Sequence, residues 1–437
     1  MDRRDALRRL ATMVPAVAAA CTVGRRRPAV DVEHEAAGTV EVGREGEGTA
    51  LDGPLVRVAL VTGAPSAMLG ATSTWRLIDG DGRGDVLLRS GGTERWRVEQ
   101  RGSRLRAVRD DGVASAWRGG PLVARAADGG QLSVGGRRYR GELVVAAADD
   151  GMLVVNRVGL EDYLRGVVPL EIGNRPASER AATEAQAVAA RSFTRSRVLD
   201  GRGAAYDVTA GVGDQVYGGV EAERATCDEA VRATEGLVLL FGGRPVSAPY
   251  HSTCGGSTAE PNEVWRSTPE PHLKRVSDRR PGGGCYCDAS PRFAWTRTFE
   301  RDELGRLLDR YLGSYTSVPS GGAGDVVELR VDETTPSGRA GILDVRTTRG
   351  DFRLRGNDIR YVLRERGGEI LNSTYFTVQR PPVRRGESPP IATLEGKGYG
   401  HGIGMCQWGA IGRARSGFDF RAILRTYYPG TSVGYAE

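Results

Sequence analysis

Sixty-two glycines and 21 prolines make up about a fifth of this 437-residue chain. A backbone interrupted that often does not sustain a helical bundle; it favours many short strands joined by turns. The glycines follow no fixed period, which excludes a collagen-like chain. No run of ~18 apolar residues occurs, so no membrane-spanning helix is expected. The length predicts two or three domains of roughly 100–200 residues each.

The net charge of +6 comes from 61 basic and 55 acidic residues. The two signs are interspersed, so nucleic acid is not an expected partner. All basic residues are arginine except Lys274 and Lys397. There is no glycine-rich phosphate loop, no dinucleotide fingerprint between a strand and a helix, and no nucleophile-elbow serine.

The N-terminus reads as an export signal. Arg3, Arg4, Arg8 and Arg9 precede a short apolar run that ends at Cys21. Basic residues, then an apolar stretch, then small residues make a secretory signal. The paired arginines point to the twin-arginine route. Ala18-Ala19-Ala20-Cys21 resembles a lipobox, which makes Cys21 a lipidation candidate and the chain a possible membrane-anchored lipoprotein of the periplasm or cell envelope. The segment 22–54 has no periodicity and reads as a linker.

The expected fold class is α+β, with a β-rich N-terminal region and a mixed core of short strands and a few helices. The organisation expected along the chain is a signal peptide (1–21), the linker (22–54), a β-rich subdomain (55–150) and a core (151–295). An α+β subdomain (296–390) and a C-terminal segment that completes the core (391–437) follow. Within it, strands are expected at Leu153–Val158, Leu237–Phe241 and Pro245–Tyr250. Helices are expected from Pro176 to near Val198, at Thr226–Glu235, at Arg301–Leu312 and at Phe420–Tyr427. Pro381 to Pro390 reads as a linker or surface loop.

Five cysteines follow Cys21, so at least one thiol is not in an internal disulfide. His251-Ser-Thr-Cys254 sets two soft ligands three positions apart, and Cys285-Tyr-Cys287 supplies two more from a glycine-rich loop. One histidine and three cysteines form a common closed zinc set. An oxidising compartment would equally favour a disulfide from Cys254 to Cys285 or Cys287. Spacing leaves both open; His251, which a disulfide does not need, favours the metal.

Three further segments can carry chemistry. The first is Tyr163-Leu-Arg-Gly-Val-Val-Pro-Leu-Glu171, followed by Ala185-Gln-Ala-Val-Ala-Ala-Arg191. Glu171 is expected between a strand and a helix, where a carboxylate can act as a general acid/base or simply favour a helix dipole. The second runs from Tyr250-His-Ser-Thr-Cys-Gly-Gly256 to Pro271-His-Leu-Lys274 and Asp278. The third is Gly398-Tyr-Gly-His-Gly-Ile-Gly-Met-Cys-Gln-Trp-Gly-Ala410, in which glycines around His401 let the backbone approach a ligand closely.

In this order, and together with Gln215-Val-Tyr-Gly-Gly219, Ser337-Gly-Arg339 and Tyr427-Tyr-Pro-Gly430, these segments resemble the SpoIID/LytB family of sporulation and amidase-enhancer proteins. The resemblance covers about Leu55 to Gly434. It implies a lytic transglycosylase that cleaves the β-1,4 bond between N-acetylmuramic acid and N-acetylglucosamine in peptidoglycan, leaving a 1,6-anhydro end. It also implies glycan strands as substrate, favoured when stripped of stem peptides, and a cell-wall amidase as a partner. The alternative within the same family is a non-catalytic amidase enhancer.

By the resemblance, Glu171 is the catalytic acid/base, with Arg191 and Lys274 beside it. Tyr163, Gln186, Gln215, Tyr217, Asp278, His401 and Gln407 are its implied substrate-binding positions. His251, Cys254, Cys285 and Cys287 match a metal-binding region, and the implied zinc is structural. Many relatives have tyrosine where His272 stands. Many have serine where Cys406 stands, which speaks against a thiol nucleophile there.

Overall fold

The computed structural model describes residues 53–127, 129–201, 204–380 and 390–436. The expected signal peptide, the lipidation candidate Cys21, nearly all of the expected linker and the expected Pro381–Pro390 loop except its last residue lie outside the described residues. The chain divides into two compact units. The first comprises residues up to Asn174 together with Thr194–Arg232; the second comprises Arg175–Phe193 together with Ala233–Glu437. The fold is α+β, as expected: short strands in several sheets, with helices between them.

The first unit is built on a seven-stranded sheet and a five-stranded sheet. The seven-stranded sheet runs in the order Val208–Thr209, Leu55–Ala64, Gly151–Gly159, Glu142–Ala148, Leu122–Ala126, Trp75–Asp79, Val86–Ser90. Its pairings are antiparallel except that of Val58 with Val208. Gly151–Gly159 is buried along nearly its whole length, as its apolar run demands of a strand covered on both faces. Arg157 sits in that strand fully buried, and its guanidinium reaches Glu142 at 2.5 Å and Asp81 at 3.2 Å. At the sheet edge, Asp207 accepts from the Arg57 backbone N–H at 2.9 Å and pairs with its guanidinium at 2.7 Å. That buried pair pins the two-residue strand Val208–Thr209 to its neighbour.

Gly151–Gly159 leads directly into the helix Leu160–Glu171. The helix buries Leu160, Tyr163, Leu164, Val167 and Val168, and Pro169 lies inside it. Its Gly166 is required by packing: a Cβ there would stand 2.5 Å from Tyr217 Cε2. Ala225–Ala233 forms a further helix, near the expected bounds.

In the second unit, one hydrophobic core gathers Phe299, Leu304, Leu308, Leu343, Phe352 and Leu394 with their neighbours. It lies beneath the helix Arg301–Tyr311 and two three-stranded antiparallel sheets. Leu237–Phe241 pairs with Ser432–Tyr435, and Tyr250–His251 pairs in parallel with Met405–Cys406. The expected strand Pro245–Tyr250 is only Arg244–Pro245 and, after a gap, Tyr250–His251. The helices Gln407–Arg415 and Phe420–Tyr427 close this unit. Among the described residues, no helix is long and apolar enough to cross a membrane.

Candidate functional site

In the first unit, Glu171 is the last residue of the helix Leu160–Glu171. This corrects the expectation that it comes straight after a strand, and it removes the dipole explanation, because a carboxylate at a helix C-terminus is disfavoured and the next α-helix, Arg180–Asp200, starts nine residues on. What holds Glu171 is a loop: the Val216 backbone N–H donates to its Oε1 at 2.8 Å. Val216 lies between Gln215 and Tyr217, so the Gln215-Val-Tyr-Gly-Gly219 segment positions the carboxylate.

That loop is itself clamped. Tyr163 Oη donates to Gln215 Oε1 at 3.2 Å, and Thr194 Oγ1 donates to the same oxygen at 2.7 Å. Tyr217 Oη donates to Asn156 Oδ1 at 2.9 Å, and its ring packs on Tyr163 at 4.9 Å and Tyr139 at 5.7 Å. Burial pushes the Tyr163 and Tyr217 phenols well above their ordinary range, so both remain neutral donors. Tyr163, Gln215 and Tyr217 were expected to bind substrate; the structure buries all three and engages them with one another beneath Glu171.

The second unit holds the other implied site residues. Arg191 is fully buried and donates to the Leu237 carbonyl at 3.1 Å. Gln186 accepts from Gln407 Nε2 at 3.2 Å, again in the interior. Lys274 lies at the surface, its side chain 44% exposed, with Nζ 3.5 Å from Glu260. Lys397 lines a polar cavity with Gly255, Gly256, Arg275, Ser337 and Tyr375. His272 Nε2 donates to the Ser247 carbonyl at 2.8 Å.

The histidines are fixed by the backbone. His401 donates from Nε2 to the Tyr250 carbonyl at 2.9 Å and accepts at Nδ1 from the Ile403 N–H at 3.0 Å. Both ring nitrogens are thus used in one neutral tautomer. Burial, with the charges of Arg360 and Arg339 nearby, pulls His401 down to about 3. His251 donates from Nδ1 to the Ile403 carbonyl at 3.1 Å, and its ring centre is 5.4 Å from that of His401. Burial first, then His401, holds it well below the usual imidazole range. Next to it, buried Arg339 donates to the Cys254 carbonyl at 3.0 Å and packs over Tyr375.

The expected ligand set does not assemble as a group. The structure brings Cys254 and Cys287 together, with Sγ atoms 3.5 Å apart, and adds Cys406 and Asp278. One ligating atom from each of these four lies within 4.8 Å of the others. His251 and Cys285 are not members; Cys285 lines the polar cavity instead. Asp278 was expected to bind substrate, but it is fully buried, with Oδ1 accepting from Tyr427 Oη at 2.7 Å and Arg413 at 3.1 Å. Sequence reasoning gave Cys406, Tyr427 and Arg413 no part in this cluster. The one available signal was a cysteine in a segment where many relatives carry serine.

A stage II sporulation protein family profile matches residues 148–241, and a domain of unknown function matches 282–404. The chain is 31% identical over 313 residues to an uncharacterised protein of Brachyspira hyodysenteriae, covering 71% of this chain and 76% of that one. It is 31% identical to an amidase enhancer of Bacillus subtilis over 62% of this chain and 40% of that protein. It is 29% identical to stage II sporulation protein D of Bacillus subtilis over 65% of this chain and 76% of that protein.

Proposed function

We propose, because the chain belongs to the stage II sporulation protein D family, that it works on the bacterial cell wall as a lytic transglycosylase. The observation that carries this reading is the setting of Glu171, a carboxylate fixed at a helix end by the Val216 amide above a clamp of buried tyrosines. The substrate is the glycan strand of peptidoglycan, favoured when free of stem peptides. In the first half of the reaction, the Glu171 carboxyl protonates the oxygen that leaves C1 of N-acetylmuramic acid. The carboxylate then takes the proton of the same sugar's 6-hydroxyl as that oxygen bonds to C1. The bond to N-acetylglucosamine breaks, a 1,6-anhydro ring closes, and Glu171 ends protonated as it began.

The attacking group belongs to the substrate, so no second carboxylate is needed to place a water, unlike in an ordinary glycosidase. Arg191 supports the scaffold from within rather than touching sugar, since its guanidinium is spent on the Leu237 carbonyl. Export through the N-terminal signal, with lipidation of Cys21, would put the chain in the envelope where this substrate is.

The second reading, an enhancer that stimulates a cell-wall amidase, is favoured by the similarity to the amidase enhancer. Amidase-treated peptidoglycan incubated with the purified chain separates the two. Release of anhydro-ended sugars by the chain alone, abolished in Glu171→Gln, supports the enzyme. Stimulation of an added amidase, with no anhydro product and no effect of Glu171→Gln, replaces it with the enhancer.

A further inference from the structure

The cluster of Cys254, Cys287, Cys406 and Asp278 plays no part in the reaction above. All four side chains are buried, Cys285 at 8% exposure being the nearest to solvent among the cysteines of this unit. The four come from well-separated places: Cys254 after the strand Tyr250–His251, Asp278 and Cys287 on a loop, and Cys406 at the head of the helix Gln407–Arg415. The parallel pairing of His251 with Cys406 is what brings the first and last together.

From this arrangement the geometry points to a structural site for a thiophilic divalent cation of the zinc type, ligated by Cys254, Cys287, Cys406 and the Asp278 carboxylate. Sulfurs on a tetrahedral zinc with bonds of about 2.3 Å stand about 3.8 Å apart. The Cys254–Cys287 separation of 3.5 Å is close to that edge, and too long for a disulfide, whose sulfurs are about 2.0 Å apart. Three thiolates and a carboxylate are donors of kinds that zinc takes, and four of them are enough to close a tetrahedral site.

The surroundings are those of ligands already oriented. Cys406 Sγ accepts from the Cys254 N–H at 3.2 Å and from the Gly409 N–H at 3.2 Å. Cys254 Sγ accepts from the Gly256 N–H at 3.4 Å. Such N–H···S contacts hold thiolates in place around metals. Asp278 is gripped at Oδ1 by Tyr427 and Arg413, while its Oδ2 is buried and has no hydrogen-bond partner. A buried carboxylate oxygen left without a partner is costly unless something binds it.

Gly409 and Gly412 keep the helix close to this cluster. A Cβ on Gly409 would stand 2.0 Å from Tyr427 Oη and 2.8 Å from both Asp278 oxygens. A Cβ on Gly412 would stand 2.0 Å from the Tyr286 carbonyl oxygen.

This assignment replaces the expected set. Neither His251 nor Cys285 places a ligating atom in the cluster, and Cys285 stands at the polar cavity instead. With four protein ligands and no exposed face, the cation has no position for substrate. It ties together segments about 150 residues apart, so its binding free energy becomes folding free energy.

The test uses the full chain, purified under reducing conditions, with zinc added and excess removed. Elemental analysis is expected to give one zinc per chain. Alkylation before and after a strong chelator, mapped by mass spectrometry, is expected to show Cys254, Cys287 and Cys406 as the thiols the chelator uncovers. Cys406→Ser and Asp278→Asn are expected to lose most of the metal, whereas Cys285→Ser and His251→Ala retain it. Wild-type mapping keeps the test decisive if a variant fails to fold. Metal-free folded protein, a Cys254–Cys287 disulfide, or uncovering of Cys285 in place of Cys406 would overturn the assignment.

Discussion

Replacing Gly166 with alanine sets two physical effects against each other. Alanine in the middle of a helix is favoured over glycine by about 0.8–1.0 kcal/mol, so the helix Leu160–Glu171 alone should gain. The packing says the opposite. The new methyl would sit 2.5 Å from Tyr217 Cε2 and 2.8 Å from Cδ2, against an ordinary carbon contact of about 3.5–4.0 Å. The ring would have to withdraw by about 1 Å. It cannot do so freely, because it is stacked on Tyr163 and Tyr139 and its hydroxyl is bonded to Asn156.

Overpacking of this kind costs about 1–3 kcal/mol and exceeds the propensity gain. The net expectation is a loss of about 1 kcal/mol and at most ~2, at ~2–4 °C in Tm per kcal/mol for a unit of this size. Thermal unfolding followed by circular dichroism measures it. Since Tyr217 adjoins Val216, whose amide holds Glu171, activity should fall more steeply than stability. A misplacement of about 1 Å can cost ~100-fold in rate. A Gly166→Ala protein as stable as the parent or more so would refute the packing argument, and full activity would refute the link to Glu171.

Three other outcomes follow from the same contacts. Asp207→Asn leaves buried Arg57 without its charge partner, and should destabilise the first unit by ~3–5 kcal/mol in chemical denaturation. Tyr427→Phe removes a hydrogen bond to a buried carboxylate and should cost ~1–3 kcal/mol in the same measurement. His401, packed beside the His251 ring and drawn down to about 3 by burial first and then by the Arg360 and Arg339 charges, gives a signed pH effect. Between ~6.5 and about 3 the unfolded chain binds the extra proton, so stability is full above that window and falls with pH inside it, by up to ~1.4 kcal/mol per unit. The difference in denaturation midpoint between wild type and His401→Gln should therefore shrink on acidification from pH 7 to 5; a constant difference contradicts a neutral His401.

How much of this could be read in the sequence depended on whether local pattern or long-range packing decides. The strand Leu237–Phe241 and the helix Phe420–Tyr427 have the expected bounds, because a β-rich apolar run and an Asp419-capped amphipathic turn carry their own signals. The helix Leu160–Glu171 was missed: Gly166, two valines and Pro169 all lower its propensity, and burial of Tyr163, Leu164 and Val168 outweighs them. The helix Gln407–Arg415 was not among the expected elements. Its Gly409 and Gly412 serve close approach to Tyr427, Asp278 and Tyr286, which only the folded chain reveals.

The motifs located the right segments but not the partnerships within them. Glu171 and Val216 are 45 positions apart, and Cys254 and Cys406 are 152 apart. No spacing rule joins such pairs; the loop clamp and the parallel strand pair do. Lys274, which stood out as one of two lysines, proves to be an exposed partner of Glu260, an ion pair of the kind worth little.

The most direct test of the central claim is the fate of solvent oxygen. Stem-peptide-free glycan strands are digested by the purified chain in water labelled with heavy oxygen, and the ends are read by mass spectrometry. Attack by the sugar's own 6-hydroxyl predicts anhydro ends lighter by one water, with no label, and none from Glu171→Gln. Labelled reducing ends, or equal product from Glu171→Gln, would contradict it.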